Sequence, residues 1–331
     1  MRTGTTTKFF ELASCVAAVL WITSMNANGA EISIYPLKPT RIVVAFAPGG
    51  GTDILARLLA KQLSETTGQQ VFVDNRPGAA GTLGADLVAK SAPDGYTLLL
   101  TVNALAANST LYPKLPFDTV RDFAPIALIG ATPNTLAVHP ALPAKSVREF
   151  VALAKAKPNQ IAYASTGTGG AAFLATEMFK LLTGVHMLHV PYKGAGPALI
   201  GILSGEAQAI ISALPPTLPY VRRDKLRALG ITSQKRALLA PDFPTLIEGG
   251  VKGMIFETWY GLFAPAALPR EIITKLNTTI AATLGNREFN AQLASQGIEP
   301  GGGTPESFGL FFRDEVERLG KIIRTSGAQP E

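Results

Sequence analysis

Two glycine-rich stretches carry the residue types that could do chemistry: Pro48-Gly49-Gly50-Gly51-Thr52-Asp53 and Ser165-Thr166-Gly167-Thr168-Gly169-Gly170. Each follows an apolar run that reads as a buried strand (42–46 and 161–164) and leads into an apolar stripe of helical period. Glycine lets the backbone come close to a ligand. The first turn of a helix offers unpaired N–H groups and a partial positive charge. The chemistry this favours is anion binding, of a carboxylate or a phosphate. Ser165, Thr166 and Thr168 add hydroxyl donors beside the second set of N–H groups. Two such helix starts facing one cleft would hold an anion from both sides, which suits a two-lobed binding protein.

Other residues near these stretches have two readings each. Thr52 and Asp53 are helix caps; Asp53 is alternatively the partner of a ligand ammonium, as an amino acid would require. An exposed Asp53 would repel a bare carboxylate, so the two readings imply different ligand classes. Phe46 lines the cleft or is a core aromatic at a strand end. Asn103 follows the strand ending at Val102, at the carboxyl end where such sheets bind ligands. Tyr192 is placed at the cleft, Lys193 in solvent, and Arg76 is read as a structural clamp. His139, His186 and His189 show no spacing with acidic residues that would make a metal site. His186 and His189, three apart on a predicted strand, point to opposite faces. Neither a metal nor a cofactor is expected.

Enzymatic motifs are missing. There is no G-x-x-x-x-G-K-[ST], and 167–170 lacks the full G-x-G-x-x-G spacing and its partner acid. No G-x-S-x-G elbow occurs. An exported enzyme using the loops for a nucleotide is therefore the weakest of the readings.

The elements that must position the loops follow from periodicity. Strands are expected over 42–46, 70–73, 96–102, 161–164, 186–190, 207–212 and 226–231, and helices over 52–66, 82–90, 147–156, 171–182 and 197–203. In the 171–182 helix, Phe173, Leu174, Met178, Leu181 and Leu182 are expected to face inward. Residues 123–138 read as strand broken by Gly130 and Pro133. Three helices finish the chain at 269–284, 287–295 and 305–325 and are expected on the first lobe. Alternating strands and helices give an α/β fold with parallel sheet covered on both faces. The boundaries read as a first lobe of 31–130 with 256–331 and a second lobe of 131–255.

The chain has 331 residues, 47% hydrophobic and 16% charged, with a formal charge of +6. That is enough chain for two compact lobes. Its lysines and arginines are scattered, which favours small anionic ligands over nucleic acid. Arg2 and Lys8, the apolar run 12–25 and the small residues 27–30 read as a secretory signal over 1–30. Cys15, the one cysteine, falls inside its apolar core. The exported chain then has no thiol chemistry.

In order along the chain, several segments are similar to one known family. These are 48–53 with Ala56-Arg57, Asn75-Arg76-Pro77-Gly78-Ala79-Ala80-Gly81, and Pro93-Asp94-Gly95-Tyr96-Thr97-Leu98-Leu99. Further on come Tyr163-Ala164-Ser165 with Gly167 and Gly169, Val190-Pro191-Tyr192-Lys193-Gly194, Asp242 with Pro244-Thr245, and Trp259 with Gly261. The chain resembles the Bug family, the extracytoplasmic solute receptors of tripartite tricarboxylate transporters. The resemblance implies a type II-like clam-shell of two lobes, each a mixed sheet flanked by helices, with the ligand cleft between them. It implies a carboxylate, amino acid or small amide ligand held by the glycine loops at Phe46, Pro48, Gly49, Gly50, Gly51, Thr52, Asp53, Asn103, Ser165, Thr166, Gly167, Thr168, Gly169 and Tyr192. It further implies a periplasmic protein, taken as a monomer, that serves large and small membrane transporter subunits. A sensor feeding a membrane signalling partner is the alternative output. Two departures from the family pattern stand out: Phe173 where a histidine begins the helix, and Asp224 where a glycine precedes the 226–231 strand.

Overall fold

The computed structural model describes residues 35–192 and 194–328. The expected signal at 1–30, with Cys15, lies outside the described residues, as does Lys193.

The chain runs β1 (Thr40–Val44), α1 (Gly51–Thr67), β2 (Val71–Asn75), α2 (Thr82–Ala89), β3 (Thr97–Thr101), α3 (Ala104–Leu111) and β4 (Phe123–Val138). It continues through α4 (Val147–Ala156), β5 (Ala162–Ser165), α5 (Ala171–Thr183), β6 (Leu188–Pro191), α6 (Ala195–Leu203), β7 (Ala209–Ala213), α7 (Leu214–Val221) and β8 (Arg227–Ile231). It ends with β9 (Glu257–Pro265), α8 (Arg270–Gly285), α9 (Arg287–Ser295), β10 (Glu299–Gly302) and α10 (Pro305–Ser326).

The strands follow the order β2-β1-β3-β9-β4-β7-β5-β6, with β8 and β10 also paired to β4. β1 pairs in parallel with β2 and β3, and β5 in parallel with β6 and β7. The hydrophobic strand–helix alternation thus gives two parallel cores, one on each side of two antiparallel strands. The long strand β4 joins them. Its first part pairs with β9 and β10, while Asn134 to Val138 pair with β7 and Leu136 and its neighbours with β8. This is the mixed α/β architecture expected.

Strand β4 differs from the broken strand expected of Gly130 and Pro133. It runs as one strand whose pairing with β9 shifts register between Leu128 and Gly130, and both residues have positions that suit it. A Cβ at 130 would come within 2.5 Å of the Glu299 carbonyl oxygen on β10, so glycine lets β10 approach. Pro133 sits where the pairing changes from one partner set to the other, a place that tolerates a missing N–H.

Other differences have plain causes. Helix α3 lacks a clear apolar stripe, and α7 contains Pro215, Pro216 and Pro219, so neither was expected. Two of those prolines occupy the first turn of α7, where no N–H is needed. Leu181 and Leu182 of α5, in its last turn, are 43% and 44% exposed and do not face inward as expected. Phe173 and Leu174 are buried as expected, together with Phe179. Asp224 has φ of +55°, a left-handed position that aspartate tolerates in place of glycine.

The core has two large parts. One lies beneath α1, α8 and α9, with Leu55, Leu59, Leu98, Leu100, Leu262, Ile280 and Leu293. The other runs from one half of the molecule into the other, joining Leu99 and Phe123 to Phe150, Phe179 and Ile211. Helix α10 supplies Phe308, Phe312, Leu319 and Ile323 to it and packs against both α3 and α5. So α8 and α9 cover the first half, as expected, but α10 straddles both. Its apolar stripe is long enough to serve two partners.

Candidate functional site

The first glycine loop is fixed from inside by Asp53. That carboxylate is 4% exposed. It accepts from the Gly49 N–H (2.9 Å), from Arg57 Nε (3.1 Å) and from Asn75 Nδ2 (3.0 Å), with Arg57 also 3.0 Å from its other oxygen. Asn75 donates as well to the Phe46 carbonyl (3.1 Å). Burial opposes the charge on Asp53, but these donors outweigh it and hold the carboxyl below its ordinary value. Gly49 needs its glycine, since φ is +85°. Pro48, Gly49, Gly50 and Gly51 remain exposed, and Phe46 is half-buried beside Gly81.

Helix α1 starts at Gly50 in extended conformation, and no side chain caps it. Its first backbone bond is from Ile54 N–H to Gly50, which leaves the N–H groups of 51, 52 and 53 pointing out of the helix end. By contrast Ser146, Asn286 and Thr304 cap α4, α9 and α10 with their side chains.

The second loop repeats this arrangement. Helix α5 starts at Gly170, also extended and without a side-chain cap, and its first bond runs from Leu174 N–H to Gly170. Gly167 and Gly169 have φ of +103° and +82°. Ser165 is fully buried; its Oγ accepts from the Gly167 N–H (3.1 Å) and lies 2.7 Å from His189 Nε2. The imidazole is stacked on Tyr163, with centroids 4.9 Å apart, and packs at an angle on Phe173 at the same separation. Tyr163 in turn donates to the buried Glu177 (2.6 Å), which Lys180 pairs. Burial and then the Glu177 carboxylate push the Tyr163 phenol upward. Thr166 and Thr168 are half-buried.

Helix α3 connects the two loops. The Asn108 amide donates to the Ala80 carbonyl (3.0 Å) and to Thr82 Oγ1 (3.2 Å), on the turn that touches Phe46. Its Oδ1 is buried without a partner, 4.0 Å from where a Cβ on Gly169 would lie. Such a Cβ would overlap Leu111 of the same helix. Asn103, fully buried before α3, donates to the Glu257 carbonyl (3.1 Å), and its Oδ1 has no partner. Where the chain crosses between halves, Asn134 donates to the Phe256 carbonyl (2.9 Å) and accepts from Thr258 (3.2 Å), while Thr232 N–H donates to the Asn134 carbonyl (2.8 Å).

The structure gathers Phe46, Pro48, Gly49, Gly50, Gly51, Thr52 and Asp53 at the start of α1, and Ser165 to Gly169 at the start of α5. It gives Asp53 to the loop itself, with its oxygens already engaged. Tyr192 is turned back onto α6: a Cβ on Gly201 would overlap its hydroxyl, and burial followed by Glu206 raises the phenol. Arg76 pairs with Asp74 (3.0 Å). Tyr260, which was not singled out, and His189, weighed only as a metal ligand, both reach the loops; only the register of β6 on β5 and of β9 on β3 reveals them. Among the described residues no group of histidine, cysteine and carboxylate side chains is placed to hold a metal, and no helix is long and apolar enough to cross a membrane. A cavity of about 550 Å³ lies away from the loops, against Arg41, Asp74 and Tyr96.

Comparison with known proteins places this geometry. The family model described as the tripartite tricarboxylate transporter family receptor matches residues 55–328. Protein BugT of Bordetella pertussis is 38% identical over 316 residues, 95% of this chain and 97% of that one. Among solved structures, R. palustris Rpa4515 with adipate is 37% identical with a TM-score of 0.83, covering 90% of this chain and 100% of that chain. MatC (Rpa3494) from Rhodopseudomonas palustris with bound malate is 30% identical with a TM-score of 0.78, covering 87% and 100%.

Proposed function

This chain belongs to the tripartite tricarboxylate transporter receptor family, and on that premise we propose that its two glycine loops close on a small carboxylate in the periplasm. The observation that carries the reading is the matched pair of helix starts, α1 at Gly50 and α5 at Gly170, both without side-chain caps. A carboxylate supplies the acceptors those N–H groups lack and answers the positive end of each helix dipole. Two relatives with solved structures hold adipate and malate, so carboxylates are the class to test first.

In this reading, residues 31–130 with 256–331 make one lobe and 131–255 the other. Strand β4 and the 232–258 segment are the crossings, and the Asn134–Thr232–Phe256 bonds are the pivot. Phe46, Pro48 to Thr52, Asn103 and Ser165 to Gly169 line the ligand site. Asp53 serves it by holding the loop, and Tyr192 supports it from outside. We read the protein as a receptor and not a catalyst, because the family it belongs to is a receptor family. The bound, closed form is then what large and small membrane subunits of a transporter recognise, with the receptor acting as a monomer.

Binding stabilises the folded state by mass action, about 2.7 kcal/mol at roughly a hundredfold excess over Kd, or a rise in Tm of about 5 °C for a chain this size. A thermal-shift panel of dicarboxylates, hydroxy-acids, amino acids and amides should show such a rise for carboxylates. A panel that leaves the transition unmoved throughout removes the proposal.

A further inference from the structure

We propose that Tyr260 is a specificity-determining residue of this site, its hydroxyl donating to the ligand carboxylate seated on the first turn of α1. The inference rests on the carboxylate reading above and narrows it.

Tyr260 sits on β9 and is 5% exposed. Its ring belongs to the apolar cluster of Leu55, Leu59, Leu262 and Ile280 beneath α1 and α8. The hydroxyl emerges at the start of α1, since a Cβ on Gly51 would lie 3.1 Å from it. Gly51 has no left-handed φ, so its backbone does not call for glycine; the space beside it is kept for the hydroxyl. The ring is buried, and its hydroxyl has no hydrogen-bond partner among the described residues; burial raises its pKa, so it stays a neutral donor.

The first turn of α1 therefore presents donors: the N–H groups of 51, 52 and 53 and the Tyr260 O–H. The nearby carboxylate, Asp53, is filled by Gly49, Arg57 and Asn75. A site dominated by donors favours a group that only accepts. An ionised carboxylate fits. A primary amide would turn its NH2 against N–H groups, and an ammonium would meet donors and the positive helix end with no free carboxylate to answer it. The ammonium of an amino acid is thus disfavoured at this pole, whatever the α5 pole accepts.

The test is Tyr260→Phe, which removes one oxygen and keeps the ring. Isothermal titration with the dicarboxylates from succinate to suberate, adipate included, identifies the wild-type ligand; its diamide is titrated beside it. The wild type should bind the diacid and fail to bind the diamide. The variant should bind the diacid about tenfold more weakly, the scale of a hydrogen bond to a charged group. Without ligand, the variant should melt at about the same temperature as the wild type, because no protein hydrogen bond is lost with the hydroxyl; a hydroxyl with a merely structural role would lower it. Equal diacid affinity in both proteins, or equal wild-type affinity for diacid and diamide, overturns the assignment of Tyr260 while leaving carboxylate binding intact. A wild type that binds no member of the series overturns the carboxylate reading, and this inference with it.

Discussion

Ser165 Oγ lies 2.7 Å from Nε2 of His189, across two parallel strands whose register sets Tyr163 against His189. The Gly167 N–H already donates to the same oxygen, so the imidazole decides where the remaining hydrogen-bonding capacity of Ser165 points. The ring is clamped between Tyr163 and Phe173. Replacing His189 by Phe should keep this packing and free the hydroxyl. Ligand affinity is expected to fall about three- to tenfold, the worth of one neutral hydrogen bond, with little change in Tm. Titration calorimetry reads this, and an unchanged Kd would show that Ser165 is oriented by its loop alone.

The local pattern made the two loops legible. A strand period that gives way to a helix period across glycines marks both sites, and Gly49, Gly167 and Gly169 occupy left-handed positions that glycine fills at least cost. Residues that arrive from elsewhere in the chain were not legible. Tyr260 reaches Gly51 because β9 lies beside β3, and His189 reaches Ser165 because β6 lies beside β5. No spacing along the chain encodes that. Asp53 shows a second kind of gap: its type permitted a cap or a ligand contact, and only the positions of Asn75 and Arg57 assign its oxygens to the loop. The straddling of α10 was hidden likewise, since an apolar stripe does not say how many partners it covers.

Asp53→Asn tests the loop as a structural unit. An asparagine turns an NH2 toward donors that the carboxylate accepted, at a site 4% exposed. The variant should lose about 2 kcal/mol of stability, most of it from this misfit because Arg57 is largely in solvent and screened. The sign with pH follows from the lowered pKa of the folded state. The stabilisation from the ionised carboxyl is fully present above the ordinary value of 3.8 and is lost as pH falls through the lower folded value. The gap between the two proteins in denaturant melts over a pH series should therefore begin to close only below about 3.8. A gap independent of pH would mean the charge is not what holds the loop.

Glu315 of α10 is 6% exposed and joins three parts of the molecule. It accepts from Trp259 Nε1 (2.9 Å) and from Arg318 (2.6 and 3.0 Å). Arg318 in turn donates to the Ile255 carbonyl (3.3 Å), lies over the Phe256 ring and reaches Met178 of α5. Glu315→Ala should cost about 3 kcal/mol, the scale for removing one partner of a buried pair, and should alter Trp259 fluorescence in the folded state. Glu315→Gln keeps an acceptor for the indole and should cost less. Equal losses in the two variants would mean that the ion pair with Arg318, and not the indole contact, carries the stabilisation.

Gly169 and Leu111 allow the contact between the second loop and α3 to be measured as a coupling. Gly169→Ala meets two obstacles: a φ of +82° that an L-residue adopts only with strain, and overlap of the new methyl with Leu111. Together they should destabilise by about 1–3 kcal/mol and weaken ligand binding, because the loop must move away from the helix that connects it to Asn108. Leu111→Ala removes a side chain only 2% exposed and should cost about 2–5 kcal/mol through the cavity it leaves. In the double variant the methyl enters space vacated by the leucine, so the overlap vanishes while the backbone strain persists. The double variant should then be more stable than the sum of the single losses by about 1 kcal/mol, and ligand affinity should recover in part. Strict additivity would place the whole cost of Gly169→Ala in its backbone conformation, and the loop would then owe its position to its own turns and not to α3.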